Sequence, residues 1–486
     1  MTARGAGTKT PGHDGQSPAK RTRPPRPAAG RSAPVAPRAA RPTARRSAPA
    51  RRAGRVHDVL VVGAGPSGAA CAYWLADAGW DVAVVEKKHF PREKTCGDGL
   101  TPRSVRQLAD MGVEESLAGA HRYGGLRSVG FGRSLELTWP AHPDFPNYGY
   151  TVTRHDLDGL VAERALKAGA TVLQGTEALE PILESPPDEA TGEELDALPV
   201  CNGAVVREGA KTRQLRARYV VVADGANSRV GRALGLVRDR AYPQGMALRG
   251  YYRSERHDEP WIESHLDIRD ANGDIVPGYG WIFPLGDGRV NVGVGLLSTD
   301  RRWRGVNTTK LMEAFVAGVG ASWGLNEATC CGPPTGGRLP MGMSVGPRVG
   351  PNTVVIGDAG GLINPFNGEG IAYGYETGRF AAASLAEALN GGGADALASY
   401  EERIRDAYAE YYRVGRAFVR LVSNPAVMRA CVSVGMRSEA IMNQLLRIMA
   451  NLMRPDGHGA AEVGYSALVA LAKVLPPGII EGTLTR

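Results

Sequence analysis

Short apolar runs alternate along this chain with longer helical patterns. The runs are rich in valine and are typical of strands buried on both faces; they cover residues 59–62, 219–223 and 353–357, and a further run ends at Glu86. Residues 66–78 predict an alanine-rich helix closed by Gly79, and residues 156–168 predict another. This order of elements favours an α/β fold.

Two regions follow other patterns. Residues 241–344 alternate apolar and polar positions with frequent glycine and proline, which predicts antiparallel sheet. From residue 381 onward the pattern is helical, and residues 419–453 carry Leu, Met, Ile and Val at helical spacing. Such a stripe is typical of a core or an oligomer face, and a surface that rests on lipid is the alternative.

We therefore predict a discontinuous Rossmann-like domain with a sheet domain inserted in it. The predicted division is a basic tail at 1–55, the first domain at 56–130, 150–240 and 345–400, the inserted substrate-binding sheet at 241–344, and a C-terminal helical region at 401–486. Residues 90–99 break both periodicities and predict a long loop, a type of segment that often carries function. Residues 181–199 are acidic and proline-rich and predict a surface excursion.

The charge of the chain is concentrated in its tail. The net charge is +8, but residues 1–55 hold fourteen Lys and Arg against Asp14, a net of +13, so the remainder is −5. The tail has no apolar face to bury and is expected to be disordered, with a membrane or nucleic-acid tether as the alternative. No nucleic-acid partner is expected of the folded part.

The six cysteines have no CxxC or histidine spacing, which predicts a reducing compartment and no metal site. No secretory signal or membrane-spanning run is recognised. We expect a cytoplasmic protein, with peripheral contact to the inner face of the membrane as a further possibility. The sequence specifies no oligomeric state.

A glycine motif carries the first chemistry. Gly63-Ala64-Gly65-Pro66-Ser67-Gly68 stands where a predicted strand turns into a helix. There Gly63 permits the turn, Gly65 lets the backbone approach a pyrophosphate, and Gly68 allows helix and strand to pack closely. Glu86, followed by Lys87, stands where a carboxylate accepts from ribose hydroxyls. This context predicts a bound dinucleotide.

Two later motifs complete a constellation that resembles the FAD-dependent oxidoreductases of the p-hydroxybenzoate hydroxylase type. They are Asp224-Gly225, and Gly357-Asp358 followed by Gly368-Glu-Gly370-Ile371. The resemblance implies noncovalent FAD, with Asp358 at the ribityl chain and Arg154 in contact with the cofactor. It also implies that the helix opening near Glu369 points its N-terminus at the pyrimidine end of the isoalloxazine.

Two further pieces are similar to the geranylgeranyl reductase family. One is Pro91-Arg-Glu-Lys-Thr-Cys96-Gly97, which in that family places a Cys-Gly pair beside the flavin. The other is Tyr279-Gly-Trp281-Ile-Phe283-Pro284 with Gly293-Val-Gly295 after it. The resemblance covers about residues 57–410 and implies a reductase that saturates isoprenoid double bonds of a prenyl lipid, with the menaquinone side chain as the expected substrate. Geranylgeranyl diphosphate and a prenylated phospholipid are alternatives.

The implied chemistry needs a dry, apolar site lined with aromatic faces, because positive charge gathers on a tertiary carbon when such an alkene is protonated. Tyr279, Trp281 and Phe283 suit this cavity, although their spacing alone also fits a plain sheet core. With Cys96, Tyr279 and Trp281 are the candidate catalytic residues. His155 and His265 are weaker candidate acids, so the proton donor stays open, as does the electron donor between NADPH and a ferredoxin-like protein.

Two other classes of function are alternatives to a reductase. A flavin monooxygenase or halogenase shares the fold, but the halogenase Trp-x-Trp-x-Ile-Pro motif is replaced here by Tyr279-Gly-Trp281-Ile-Phe283-Pro284. A non-enzymatic protein led by the basic tail would bind its partner in a salt-sensitive way and would function without flavin.

Overall fold

The computed structural model describes residues 55–184, 199–299, 305–454 and 457–474. The predicted tail, apart from Arg55, and most of the predicted excursion at 181–199 lie outside the described residues. The bounds of the elements follow in chain order.

The strands are β1 (Val56–Val62), β2 (Val82–Glu86), β3 (Gly99–Leu100), β4 (His121–Tyr123), β5 (Gly125–Gly130), β6 (Arg133–Thr138), β7 (Gly149–Thr151), β8 (Thr171–Gln174), β9 (Thr176–Leu183), β10 (Cys201–Glu208), β11 (Lys211–Val222), β12 (Val237–Arg238), β13 (Gln244–Arg253), β14 (Trp261–His265), β15 (Gly278–Pro284), β16 (Arg289–Leu297), β17 (Thr335–Pro340), β18 (Val345–Gly346) and β19 (Thr353–Val355).

The helices are α1 (Pro66–Asp77), α2 (Pro102–Asp110), α3 (Arg154–Lys167), α4 (Arg229–Ala233), α5 (Thr308–Trp323), α6 (Ile371–Glu387), α7 (Gly393–Ile404), α8 (Glu410–Val422), α9 (Pro425–Gly435), α10 (Glu439–Met449) and α11 (Ala460–Val474). Short π-helical segments, Ala388–Gly392 and Arg405–Ala409, join α6 to α7 and α7 to α8.

The first sheet is built on parallel strands in the order β8-β2-β1-β11, with β19 parallel to the end of β11. The first half of β11 instead pairs antiparallel with β10, which continues to β9. The four predicted apolar runs lie in β1, β2, β11 and β19, so those strand predictions are confirmed. All these parallel strands end at one edge of the sheet.

Helices α1 and α6 cover this sheet and approach each other at their N-terminal halves. A Cβ at Gly378 of α6 would lie 2.5 Å from the Ser67 carbonyl oxygen, and one at Gly374 would lie 3.5 Å from the Ser67 nitrogen. Glycine at these positions lets the helix backbones touch. The two helix N-termini are thereby brought to the same edge of the sheet.

The second sheet has the order β17-β13-β16-β15-β14-β5-β6. Its pairs are antiparallel except β14 with β5. One face packs against α5, where Ile282 and Val292 meet Phe315 and Trp323.

Two details of the second sheet differ from the predicted division. Strand β5 belongs here although residues 56–130 were assigned to the first domain, because it pairs with β14, which lies far away in the sequence. Helix α5 interrupts a region predicted as sheet, and its apolar side chains cover the sheet face that would otherwise be exposed.

The C-terminal part is helical, as predicted. Val432 of α9, Met436 directly after it, and Met442 and Leu446 of α10 form a cluster with the aromatic side chains of Tyr123 and Trp139. Within the described residues no single helix has the length and apolar composition to cross a membrane, and Ile371–Val422 passes that test only jointly with Pro425–Gly435, across a bend of 105°.

Candidate active site

The turn from β1 into α1 leaves a cradle in front of the helix N-terminus. Gly63 adopts φ +103°, and a Cβ there would lie 2.5 Å from the Ala223 carbonyl oxygen. A Cβ at Gly68 would overlap the Gly63 carbonyl oxygen, so both glycines are required by close packing. At Gly65 the nearest atom to such a Cβ is Arg92 Nη2, 3.9 Å away. The space in front of Gly65, with Pro66 as the first helical residue, is open to an anion.

Glu86 ends β2 beside this cradle. Its carboxylate accepts from the backbone N–H groups of Ala64 and Lys88, at 3.2 and 3.1 Å, and from Arg92 Nη2 at 3.2 Å. Lys87, also named for cofactor binding, is exposed. Arg92 also contacts Asp158 at 2.9 Å, and its buried Nε has no hydrogen-bond partner.

Arg154 begins α3 and is buried. It forms a two-pronged ion pair with Asp158, with distances of 2.6 and 2.7 Å, and through that carboxylate it is linked to Arg92. The side chain expected at the cofactor is therefore held in a fixed orientation. The sequence analysis named neither Arg92 nor Asp158; the i,i+4 spacing of Arg154 and Asp158 was the available signal.

Asp224 follows β11 at the same edge of the sheet. Its Oδ2 accepts from the N–H groups of Arg229 and Val230, at 2.8 and 3.1 Å, and so caps α4. Its Oδ1 is buried without a partner. Gly225 adopts φ +83°, and no atom lies within 4 Å of where its Cβ would be.

Asp358 lies in the 3₁₀ turn Gly357–Gly360 after β19. A Cβ at Gly370 would lie 3.3 Å from Asp358 Oδ1, and α6 begins at the next residue, Ile371. Burial raises the pKa of Asp358, while the charges of Lys94 and Arg154 lower it. The helix expected near Glu369 thus begins two residues later.

These pieces fit an FAD molecule. The positions beside Gly65, at the N-terminus of α1, and beside Gly225 are open, and the unpartnered atoms Arg92 Nε and Asp224 Oδ1 are the kind of group that a polar ligand satisfies. Four of the segments named for FAD binding in the sequence stand at the ends of β1, β2, β11 and β19, and so lie at one edge of the parallel sheet. Cys96 and Gly97, also named for FAD binding, lie instead against the second sheet.

The loop Cys96-Gly97-Asp98 lies on the second sheet. A Cβ at Gly97 would be 3.0 Å from Phe283 Cε2 and 3.4 Å from Trp281 Nε1. Burial raises the pKa of the Cys96 thiol, and the charge of Asp98 raises it further. Cys96 is therefore a neutral thiol at pH 7.

Asp98 holds this loop in place through hydrogen bonds to α3 and to the second sheet. This role was not predicted from the sequence. Asp98 is buried at φ +64°, its Oδ1 accepts from Arg154 N, and its Oδ2 accepts from Tyr251 OH at 2.6 Å and Asn291 Nδ2 at 2.7 Å. Burial raises the pKa of Asp98 to about 6, against the lowering effect of Tyr251 and Asn291. In the sequence, the position of Asp98 between Gly97 and Gly99 was the feature that could have indicated this role.

Asn291 joins the loop to the sheet. Its Nδ2 donates to the Cys96 carbonyl oxygen at 2.9 Å as well as to Asp98, and its Oδ1 accepts from Trp281 Nε1 at 2.9 Å. Because Asn291 is fully buried, these bonds hold Cys96 and Trp281 in a fixed relation.

Tyr279, Trp281 and Phe283 form an aromatic row on the face of β15 that looks toward the loop. Neighbouring ring centroids are 5.8 and 6.3 Å apart. Gly280 and Ile282 point to the opposite face, where Phe315 of α5 lies. The row is therefore not part of the α5-covered core of the sheet.

The two histidines weighed as acids lie elsewhere. His155 is exposed and contacts Asp156 at 2.8 Å, whereas His265 contacts Glu263 at 2.8 Å and packs edge-on to Phe315. Neither lies with the aromatic row.

Glu369 lies at the Tyr279 end of the row and was not named as a site residue. Its Oε1 accepts from the hydroxyls of Thr101 and Ser104, and its Oε2 is buried without a partner. Burial raises the pKa of Glu369 to about 7, although the two hydroxyls and Arg103 lower it. In the sequence, the position of Glu369 between Gly368 and Gly370 was the feature that could have identified it as a site residue.

Comparison with known proteins agrees with this geometry. A model of the FAD binding domain matches residues 56–247. The chain is 40% identical over 421 residues to the menaquinone reductase of Mycolicibacterium smegmatis, a match that covers 86% of this chain and 97% of that protein. It is 29% identical to digeranylgeranylglycerophospholipid reductase 1 of Methanopyrus kandleri, over 73% of this chain and 87% of that protein.

A solved structure shares the fold. The geranylgeranyl bacteriochlorophyll reductase-like protein of Thermoplasma acidophilum superimposes with a TM-score of 0.65, at 23% identity, over 86% of this chain and 98% of its own. The matched FAD binding domain contains the glycine turn, Glu86, Arg154 and Asp224, so the cofactor is FAD.

Proposed function

Because this chain belongs to the menaquinone reductase family and is an FAD-dependent prenyl reductase, we propose that its substrate is menaquinone and that it saturates one or more double bonds of the isoprenoid side chain. The observation that carries this proposal is the aromatic row, which the Cys96 loop and Asn291 hold next to the FAD-binding edge.

Bound FAD, once reduced, supplies hydride. The residues of this chain hold and shape the site. Gly65 and Gly225 leave room for the cofactor, and Asp98 and Asn291 keep the Cys96 loop against the second sheet. Tyr279, Trp281 and Phe283 offer aromatic faces to a carbon on which positive charge develops, and their apolar surface excludes water.

We further propose that α8, α9 and α10 rest on an anionic lipid bilayer, because a prenyl lipid substrate must enter from a membrane. Large apolar side chains are exposed on each helix, with Leu421 at 57%, Val434 at 60% and Ile441 at 47% exposure. Residues 410–454 carry seven arginines, of which Arg416 is buried, against two acids, Glu410 and Glu439, while residues 56–486 as a whole are net negative. Apolar side chains among arginines match an anionic bilayer surface. This proposal places the protein in the cytoplasm, at the inner face of the membrane.

A substrate panel tests the proposed substrate. Under anaerobic conditions, dithionite-reduced holoenzyme is mixed with one of three substrates: menaquinone, geranylgeranyl diphosphate or an unsaturated archaeal-type phospholipid. Mass spectrometry then measures the products. Saturation of menaquinone at a kcat/KM at least about tenfold above the other two supports the proposal. Faster saturation of the diphosphate or of the phospholipid contradicts it while leaving the prenyl reductase activity intact.

A further inference from the structure

Saturation of an alkene needs a proton as well as a hydride, and the buried carboxyl groups beside the site are the first places to look for it. Asp98 is fully engaged, because both of its oxygens accept hydrogen bonds from Arg154, Tyr251 and Asn291. Asp358 lies on the cofactor side, in contact range of Gly370 and under the charges of Lys94 and Arg154. Neither carboxyl is arranged to release a proton to a lipid.

Glu369 is arranged differently. Only its Oε1 is engaged, by the hydroxyls of Thr101 and Ser104, and Oε2 is buried with no partner in the protein. A buried carboxyl oxygen of this kind costs free energy unless it carries a proton or meets a ligand. The two hydroxyls fix the rotamer and leave Oε2 as the reactive atom.

The loop that carries Glu369 lies against the aromatic row. Tyr279 OH donates to the Asn367 carbonyl oxygen at 2.8 Å, and a Cβ at Gly368 would lie 3.6 Å from Tyr279 OH. Burial is the main cause that raises the pKa of Tyr279 to about 12, so the phenol stays neutral. On the other side of Glu369, Gly370 faces Asp358. Glu369 thus stands between the aromatic row and the FAD-binding edge.

We propose that Glu369 is the proton donor in the reduction of the prenyl double bond. Its O–H bond breaks and the proton forms a C–H bond at the less substituted alkene carbon, while the electron pair stays on Oε2. As the π bond breaks, a hydride supplied by the reduced flavin cofactor forms the second C–H bond at the tertiary carbon. The carboxylate then takes up a proton from solvent at Oε2 before the next turnover. This inference rests on the prenyl reductase activity and not on which prenyl lipid is reduced.

The surroundings keep Glu369 protonated near neutral pH. Burial is the dominant effect, and Glu376 on α6 acts in the same direction. Arg103 on α2 opposes it, but Arg103 is itself paired with Glu376 at 2.7 Å. The other titratable groups that interact with Glu369 are phenols with raised pKa values, which stay neutral: Tyr123, Tyr279, Tyr373 and Tyr411. With a pKa of about 7 the acid form is populated below that pH and lost above it.

The test compares Glu369→Gln and Glu369→Asp with the wild-type holoenzyme. In anaerobic single turnover with a prenyl substrate, we expect Glu369→Gln to reduce the alkene about 10²- to 10⁴-fold more slowly, with no dependence on pH across neutrality. The wild-type rate should fall as pH rises through about 7. Glu369→Asp should retain part of the rate and show a displaced pH profile.

A second readout does not depend on activity. Infrared difference spectra of the protein, titrated across neutral pH, should contain a carboxylic acid band with a midpoint near pH 7 that is lost in Glu369→Gln, while the band of Asp98, whose pKa is about 6, remains. Glu263→Gln is the matched control, since Glu263 is a buried carboxyl of the second sheet that pairs with Arg127 and His265, and it should keep the band.

The outcomes separate this inference from the proposed function. If the wild type reduces no prenyl substrate, the function itself is wrong. If the wild type reduces one and Glu369→Gln does so within about threefold at every pH, or if the infrared band with a midpoint near pH 7 persists in Glu369→Gln, the inference is wrong. Should Glu369→Gln fail to retain FAD, the wild-type pH profile and the Glu369→Asp profile decide: a wild-type rate that does not fall across neutral pH overturns the proposal.

Discussion

Trp281 lies directly opposite Gly293 in the β15–β16 ladder, and the absence of a side chain at Gly293 makes room for the indole. A Cβ at Gly293 would overlap the ring at Trp281 Cζ2. Tyr279 pairs in the same way with Gly295. The two sequence motifs, aromatic residues on one strand and alternate glycines on the next, are therefore one structural unit.

This relationship predicts unequal effects at the two glycines. Gly293→Ala should displace the Trp281 ring and lower prenyl turnover at least tenfold, because overpacking a fitted site costs about 1–3 kcal/mol. Gly295→Ala is the matched control, since its Cβ would make ordinary contacts of 3.7 Å with Trp281 and Tyr279. Steady-state turnover and FAD content measure both variants. Equal losses of turnover at the two positions would contradict this account of the aromatic row.

The glycine cradle predicts loss of cofactor without loss of fold. Gly65→Leu adds a side chain where the protein leaves open space, so FAD content should fall by more than tenfold while the melting temperature of the apo-protein stays unchanged. Gly318→Leu, at an exposed and open position of α5, should keep full FAD content. Absorbance of the bound flavin after gel filtration measures the difference, and an FAD-replete Gly65→Leu protein would show that the cradle is not the binding site.

The hydrogen bonds around Asn291 predict a structural effect with a catalytic consequence. Asn291→Ala leaves Trp281 Nε1 and the Cys96 carbonyl oxygen without their partner, which should lower the free energy of unfolding by about 1–3 kcal/mol and lower turnover. Tyr251→Phe removes a single bond to Asp98 and should cost about 1 kcal/mol. Urea denaturation compares the two. A smaller cost for Asn291→Ala than for Tyr251→Phe would argue against Asn291 as the central link.

Glu369 also predicts how stability depends on pH. Its pKa is raised from 4.5 to about 7 in the folded protein, so its contribution to stability is present below pH 4.5 and is lost as pH rises through about 7. The shift corresponds to at most about 3 kcal/mol. Glu369→Gln should therefore gain stability relative to the wild type between pH 5 and pH 8. Melting temperatures across this range test it, and a constant difference would mean that Glu369 does not titrate there.

The proposed membrane surface predicts a charge-dependent partition. Leu421→Glu with Val434→Glu should reduce binding to vesicles of mixed phosphatidylglycerol and phosphatidylcholine by at least tenfold, and salt should weaken binding of the wild type. Leu166→Glu, which alters an exposed leucine of α3, is the control and should bind like the wild type. If the double variant sediments with vesicles as well as this control does, another surface contacts the bilayer.

Local patterns predicted the parts of the site that a single segment builds. The glycine turn and the Tyr279 to Gly295 unit follow from residues that are close in sequence, and their geometry is dictated by one turn or one strand pair. Asp98 and Asn291 were missed because their partners are distant in the sequence: Asn291 and Cys96 are 195 positions apart. Only the folded chain brings such residues together, so their roles became visible with the fold.

The same reason explains the errors in the domain division. Nothing in the local sequence of strand β5 indicates that it pairs with β14. The role of Glu369 was not predicted because the Gly368-Glu-Gly370 motif was interpreted only through its glycines, as a feature of the backbone. Its unpartnered oxygen is a property of the folded surroundings.

We expect this chain to reduce a prenyl double bond without oxygen. The most direct test mixes chemically reduced holoenzyme with menaquinone under strict exclusion of oxygen and follows flavin absorbance and the product mass together. We predict that one equivalent of flavin is oxidised for each product molecule, which gains two hydrogen atoms. Flavin that stays reduced until oxygen is admitted, followed by a product that has gained one oxygen atom and no saturated lipid, would contradict the reductase account.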